Sequence, residues 1–179
     1  MHLSNELLSR PGMEDLIRGK RVIELGCGLG LPGLVCGEWL GAESVLLTDR
    51  SLVVDICETN LSTLASPGVT AKTLEWDDIR DLEACGAIDV ILAADCIFQP
   101  LYGASFPLWD VIKRFNALAR DAERPLPTIL LSSERRPNDG VDAFLETAQA
   151  EGAEVKEWWR YEDFDGSGQH IYIFEITCS

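Results

Sequence analysis

Apolar positions along the chain switch repeatedly between two regular spacings. In "LSNELLSRPGMEDLI" they recur at helical intervals, and Pro11 predicts a helix interrupted or ended near Arg10, because proline disfavours helical geometry in its predecessor. "RVIELG" is a nearly continuous apolar run and predicts a buried strand. "LPGLVCGEWLG" reads as a helix with Pro32 in its first turn, where a missing N–H does no harm, and with Gly41 as its stop. "SVLLTD" is a second strand, and "SLVVDICETNLSTLA" is a helix with Ser51 as its expected N-cap and "SPG" as its end.

The same alternation continues to the last residues. "VTAKTLEW" predicts a third strand, the acidic "DDIRDLEACG" follows, and "IDVILAAD" is a fully apolar fourth strand. "LWDVIKRFNALARDA" predicts a helix of several turns that "RPLP" breaks; "TILLSS" and "GVDAFLETAQAEG" then give another strand and another helix. Two strands remain, "EVKEWWRYE" and "HIYIFEITC", joined by "DFDGSGQ", whose glycines and aspartates favour a turn. Alternation along "EWWRY" would put Trp158 and Trp159 on opposite faces. Strands interleaved with helices predict a mostly parallel sheet covered on both faces, and the short connection makes the closing pair antiparallel. The expected fold is α/β and Rossmann-like: seven strands, a C-terminal antiparallel hairpin and helices on both faces, the arrangement of class I methyltransferases. With 179 residues, a single domain over 1–179 is expected.

Charge and cysteine usage narrow the partners. Lys and Arg total 15 against 30 for Asp and Glu, a formal net charge of −15, so the surface repels phosphate backbones and attracts cationic partners. Direct binding to nucleic acid is disfavoured. The six cysteines are scattered without a CxxC pair, which points to reduced thiols in a cytoplasmic or nuclear protein. No apolar run is long enough to span a bilayer, so no membrane partner is expected; a monomer is. With only His2 and His170 and no clustered cysteines, there is little from which to build a metal site.

The chemistry concentrates in "RVIELGCGLGLPGLVC", residues 21–36, which carries two overlapping signatures. From Gly28, "GLGLPG" satisfies the GxGxxG pattern of dinucleotide-binding folds. From Glu24, "ELGCGLG" is an acid followed by GxGxG, as in folds that hold S-adenosylmethionine. That cofactor carries a sulfonium and an ammonium group, for which Glu24 is an available acid, directly or through water. Asp49, ending "LLTD", can take hydrogen bonds from ribose hydroxyls under either signature. After the third strand, Trp76 is a candidate to pack on adenine, with Asp77 or Asp78 accepting from its exocyclic amine. Asp95, in "AADCIF", leaves the fourth strand where a cofactor methyl would point. Cys96 has no histidine near it in sequence and is assigned to packing, and "ERR" at 134–136 to a solvated loop.

"GKRVIELGCGLGLPGL", "LLTD", "LEWDD" and "VILAADCIFQPLY" occur in the order and at roughly the spacing seen in the seven-strand protein lysine methyltransferases of methyltransferase family 16, which the chain resembles from about Gly19 onward. The resemblance implies an S-adenosylmethionine-dependent protein methyltransferase whose substrate is a non-histone protein. It also implies cofactor contacts at Gly26, Cys27 and Gly28 in the loop, at Asp49 and Trp76, and at Ala94 beside the methionine part; Gly30, in the same loop, is a further cofactor candidate. Two departures stand out. The family's Asp-x-x-Tyr reads Asp95-Cys96-Ile97-Phe98 here, which keeps an aromatic wall without a hydroxyl. Family members also carry a tryptophan-containing lid ahead of the first helix, and this sequence starts at Met1 within that helix; the lid is absent, truncated or supplied by residues outside this sequence.

Methyl transfer to an amine asks the protein for alignment and exclusion of water rather than for a nucleophile. Asp95 is the candidate for orienting the target amine, with Phe98 and Tyr102 walling its channel. A lysine substrate with a basic segment suits the acidic surface. A nicotinamide-dependent reductase is disfavoured by the lack of a substrate domain. A nucleic-acid methyltransferase is disfavoured by "DCIF", where an Asn-Pro-Pro-Tyr-like segment is typical. A non-catalytic interaction module and a small-molecule methyltransferase stay open.

Overall fold

The computed structural model describes residues 2–63, 68–77, 79–103, 106–161 and 170–179. Among them α1 (His2–Ser9) and α2 (Met13–Ile17) precede β1 (Arg21–Leu25), α3 (Leu31–Glu38), β2 (Ser44–Asp49), α4 (Ser51–Thr63) and β3 (Val69–Thr73). There follow α5 (Ile79–Glu83), β4 (Val90–Ala94), α6 (Gln99–Tyr102), α7 (Phe106–Asp121), β5 (Thr128–Arg135), α8 (Val141–Ala150), β6 (Glu154–Tyr161) and β7 (His170–Thr177). The strands form one sheet in the order β3-β2-β1-β4-β5-β7-β6. β7 runs antiparallel to both β5 and β6, and every other pairing is parallel.

Period-two alternation along the central strands sorts their side chains between two apolar layers. Val22, Val90 and Leu92 face one way and pack with Leu3, Leu7, Ile17, Val35 and Cys36. Ile23, Leu25, Ile91 and Ala93 face the other and meet Leu108, Ile112 and Phe115 of α7 and Phe144 of α8. With eight residues, α1 is shorter than the ~12–15 an isolated helix needs. It is held by burial of Leu3 and Leu7, each contributing about 1.5–3 kcal/mol.

The order of strands reverses at β1, whose neighbours β2 and β4 lead away to opposite edges. In such sheets the crevice beyond the carboxyl ends at this point is where ligands bind. Arg21 fastens the other end of the pair: its guanidinium forks onto Asp89 at 2.8 and 2.6 Å, and its N–H donates to the same carboxylate at 2.9 Å.

Several elements differ from the pattern-based expectation. β3 stops at Thr73, and Leu74 makes one more backbone bond to Asp49 (2.9 Å) before the chain turns out of the sheet at Trp76 and Asp77. Ser51 is the first residue of α4 and not its cap; the Arg50 carbonyl accepts from Val53 and Val54, while Asp49 accepts the Arg50 N–H. α6, four residues long, has no counterpart in the hydrophobic pattern. Trp158 and Trp159 do not face opposite sides: the register slips between Glu157 and Trp159, and both rings pack against the layer built on Leu3 and Leu7. The extra residue of this bulge resets the alternation. The turn expected at "DFDGSGQ" lies outside the described residues.

Candidate active site

The loop after β1 is a run of left-handed turns. Gly26, Gly28 and Gly30 have φ of 63°, 54° and 75°, a region costly for a residue with a Cβ. The loop is tied to β2 by the Cys27 N–H on the Thr48 carbonyl (2.9 Å) and by the Thr48 hydroxyl on the Glu24 carbonyl (2.7 Å). A Cβ on Gly33 would sit 2.3 Å from Leu47 Cδ2, so only glycine lets α3 lie this close to the sheet.

Glu24 shares the face of Val22, beneath α3. Its carboxylate is fully buried and accepts the Gly33 N–H at 2.8 Å in the first turn of α3. Burial pushes its pKa up to about 8, against the lowering by the Gly33 N–H, and the nearby Asp49 charge raises it further. Glu24 therefore braces the glycine loop from behind and does not reach the crevice. Gly30 likewise stays behind the wall, where a Cβ would meet Leu47 and Cys57.

The crevice is a cavity of about 730 Å³ over the carboxyl ends of β1, β2 and β4. Gly26, Cys27 and Gly28 form its floor. Asp49 enters from β2, its two carboxylate oxygens accepting the Gly28 N–H at 2.9 Å and the Arg50 N–H at 2.8 Å. Trp76 and Asp77 close one side; Trp76 also packs on the core, so it is both core edge and cavity wall. Ala94 and Asp95 close the other side. Asp78 lies outside the described residues, as does the side chain of Tyr102. Leu101, on α6 and 68 % exposed, also borders the cavity, and sequence reasoning missed it because a one-turn helix carries no period.

Asp95 holds a left-handed conformation, φ 55°, and its N–H donates to the Ser132 carbonyl of β5 at 2.8 Å. Its carboxylate accepts from the Arg136 guanidinium at 2.8 Å. Arg136 also pairs with Glu134 and lies 4.9 Å from the centre of the Phe98 ring. "ERR" is thus not a solvated loop: β5 runs on to Arg135, and Arg136 crosses to the end of β4. Phe98 backs this guanidinium and is not part of the wall of the large cavity. A smaller cavity of about 160 Å³ shares Ala94 and Asp95 with the large one, and its other walls include Ser132, Glu134 and Ile171.

Cys96 turns inward, where its thiol donates to the Leu25 carbonyl at 3.0 Å and burial pushes its pKa far up. It pins the exit of β4 to the end of β1. Among the described residues no group of three or more His, Cys, Asp or Glu side chains is placed to hold a metal ion, and no helix is long and apolar enough to cross a membrane.

A family model described as lysine methyltransferase matches residues 1–151. The chain belongs to that lysine methyltransferase family. Among curated proteins, the calmodulin-lysine N-methyltransferase of Arabidopsis thaliana is 40 % identical over 47 % of this chain and 29 % of its own length. Protein N-lysine methyltransferase METTL21A of Danio rerio is 40 % identical over 49 % of this chain and 40 % of its own. Secreted RxLR effector protein 48 of Plasmopara viticola is 32 % identical over 68 % of this chain and 67 % of its own. The stretch shared with the two named methyltransferases thus spans less than half of each. Among solved structures, the magnesium protoporphyrin IX methyltransferase of Synechocystis with bound SAM superposes with a TM-score of 0.68 over 99 % of this chain and 79 % of that one, at 14 % identity. Precorrin-6y C5,15-methyltransferase of Geobacter metallireducens gives 0.68 over 98 % and 87 %, at 12 % identity. At such identities the likeness is one of fold, and it is the class I methyltransferase fold that this family member shares.

Proposed function

We propose that the protein transfers a methyl group from S-adenosylmethionine to the amine of a lysine in a non-histone protein with a basic segment. The observation that carries this reading is that Ala94 and Asp95 line two cavities at once, one sized for a nucleoside cofactor and the other for a single side chain. The residues of the larger cavity fit the cofactor. A Cβ on Gly28 would point into open space, so the floor there is bare backbone. Asp49 keeps lone pairs for ribose hydroxyls, the Trp76 ring offers a face to adenine, Asp77 accepts from its amine, and Ala94 lies by the methionine part. Bound there, S-adenosylmethionine supplies an electrophilic methyl group and a thioether leaving group.

The chain's own residues provide the rest. A free lysine has a pKa of about 10.4, and its amine must be neutral to accept a methyl group. Partial desolvation against Ile171 and the other apolar walls of the smaller cavity favours the neutral form. Asp95 accepts a hydrogen bond from the amine and fixes its direction, and orientation of this kind supplies much of the acceleration. The net charge of −15 draws basic segments to the surface. Action as a monomer in the cytoplasm or nucleus suits six unbonded thiols.

Calorimetric titration with S-adenosylmethionine and S-adenosylhomocysteine, with NADH as control, tests the cofactor class. Binding of the adenosyl ligands alone is expected; binding of NADH alone, or of none, rejects the reading. Labelled methyl recovered in lysate protein rather than in the small-molecule fraction then separates a protein substrate from a small one. A non-catalytic interaction module is favoured by one observation, the occupation of Asp95 by Arg136, and absence of any transfer would support it.

A further inference from the structure

Arg136 does more than neutralise Asp95. Its guanidinium bridges Asp95, at the end of β4, and Glu134, on β5, and both acids border the smaller cavity. On a further side it lies 4.9 Å from the Phe98 ring centre. Two carboxylates and an aromatic face around one cation are the components of a built cation site. Asp95 borders both cavities and Glu134 the smaller one, and the cation held between them belongs to the chain itself.

The backbone beneath Arg136 is fixed while its side chain is not enclosed. Asp139, 3 % exposed, accepts the Arg136 N–H at 3.0 Å, the Val141 N–H at 2.9 Å and Arg135 Nε at 2.8 Å. This anchors the turn between β5 and α8. The side chains of Arg136 and Asp95 are 30 % and 45 % exposed, and ion pairs this open to solvent are worth little. The guanidinium can therefore leave on its flexible stem without disturbing the fold.

We propose that Arg136 is an internal stand-in for the target side chain: it fills the cation position between Asp95 and Glu134 in the resting protein and is displaced when a substrate cation enters the smaller cavity. This rests on the reading of Asp95 as the amine-orienting acid. Glu134 becomes a second specificity-determining residue, and the substrate class is a side chain that arrives positively charged and releases its proton to solvent before the neutral amine accepts the methyl group. Neutral side chains cannot displace Arg136 and are turned away.

The test uses n-butylammonium, the side chain of lysine without its backbone, titrated into the nitrogen-15-labelled protein at constant ionic strength while the amides of Asp95 and Glu134 are followed by NMR. In R136Q the midpoint should fall about fivefold below wild type, the size expected when a weak internal pair stops competing. R136K, which keeps the charge but loses the fork, should lie between. D95N/R136Q should lose the gain. Equal midpoints in wild type and R136Q, or no shift at either amide in R136Q, overturn the proposal. Titrating S-adenosylhomocysteine into the same samples keeps the two ideas apart, since the cofactor reading fails on that ligand and the stand-in fails on butylammonium.

Discussion

The buried carboxylate of Glu24 accepts the N–H of Gly33, nine positions on, at 2.8 Å, closing a span that contains the whole glycine loop. An acid in this place fastens the start of α3 to the end of β1, and the floor of the cavity hangs between them.

Glu24 should leave a mark on stability against pH. Its pKa is raised to about 8 in the folded chain, so between its ordinary value near 4.5 and about 8 the folded state holds a proton that the unfolded state has released. Stability contributed by this group is therefore full below that window and falls as pH rises through it, with a limiting slope of about 1.4 kcal/mol per pH unit. E24Q, which stays neutral and can still accept from Gly33, should flatten the dependence of urea midpoints on pH across that window, up to about 8. An unaltered slope in E24Q would reject the assignment.

Alanine usually stabilises a helix relative to glycine. At Gly33 the sign should reverse, because the new methyl would stand 2.3 Å from Leu47 Cδ2 and 2.9 Å from Glu24 Oε2. G33A should lose about 1–3 kcal/mol in chemical denaturation and weaken adenosyl binding with it. A gain in stability would show that α3 has room to move off the sheet.

Removing Asp49 deletes the acceptor proposed for the ribose hydroxyls. D49A should weaken S-adenosylhomocysteine by more than about tenfold in calorimetry, the value of one or two hydrogen bonds to a charged group. An unchanged Kd would assign Asp49 to holding the Gly28 and Arg50 N–H groups alone.

Asp95 should divide binding from turnover. D95N is expected to bind S-adenosylhomocysteine as wild type does and to transfer label into lysate protein at least about tenfold more slowly, as loss of orientation predicts. Wild-type transfer rates in D95N would remove it from the reaction.

Much of this was legible before any coordinates. β2 occupies Ser44–Asp49, the span of "SVLLTD", because a strand buried on both faces is a short apolar run bounded by polar residues. The break near Arg10 and the start of α3 at Leu31 and Pro32 follow from proline geometry. The direction of Glu24 was available too, since strand parity puts it on the face of Val22; the glycine signature drew attention to the ligand instead. Arg136 was out of reach. Its partner Asp95 is 41 residues away, and only the pairing of β4 with β5 brings them together. The tryptophan pair failed for a different reason: alternation assumes one residue per step, and the slip at Glu157 breaks that count locally.

The placement of β7 has a consequence for how the molecule is made. β6 pairs with β7 alone among the described strands, and β7 fills the gap between β6 and β5. While the chain is being synthesised, the outer edge of β5 and the whole of β6 wait without partners until His170–Thr177 has left the ribosome. For that interval the nascent protein leaves one edge of β5 uncovered, the kind of surface that chaperones shield.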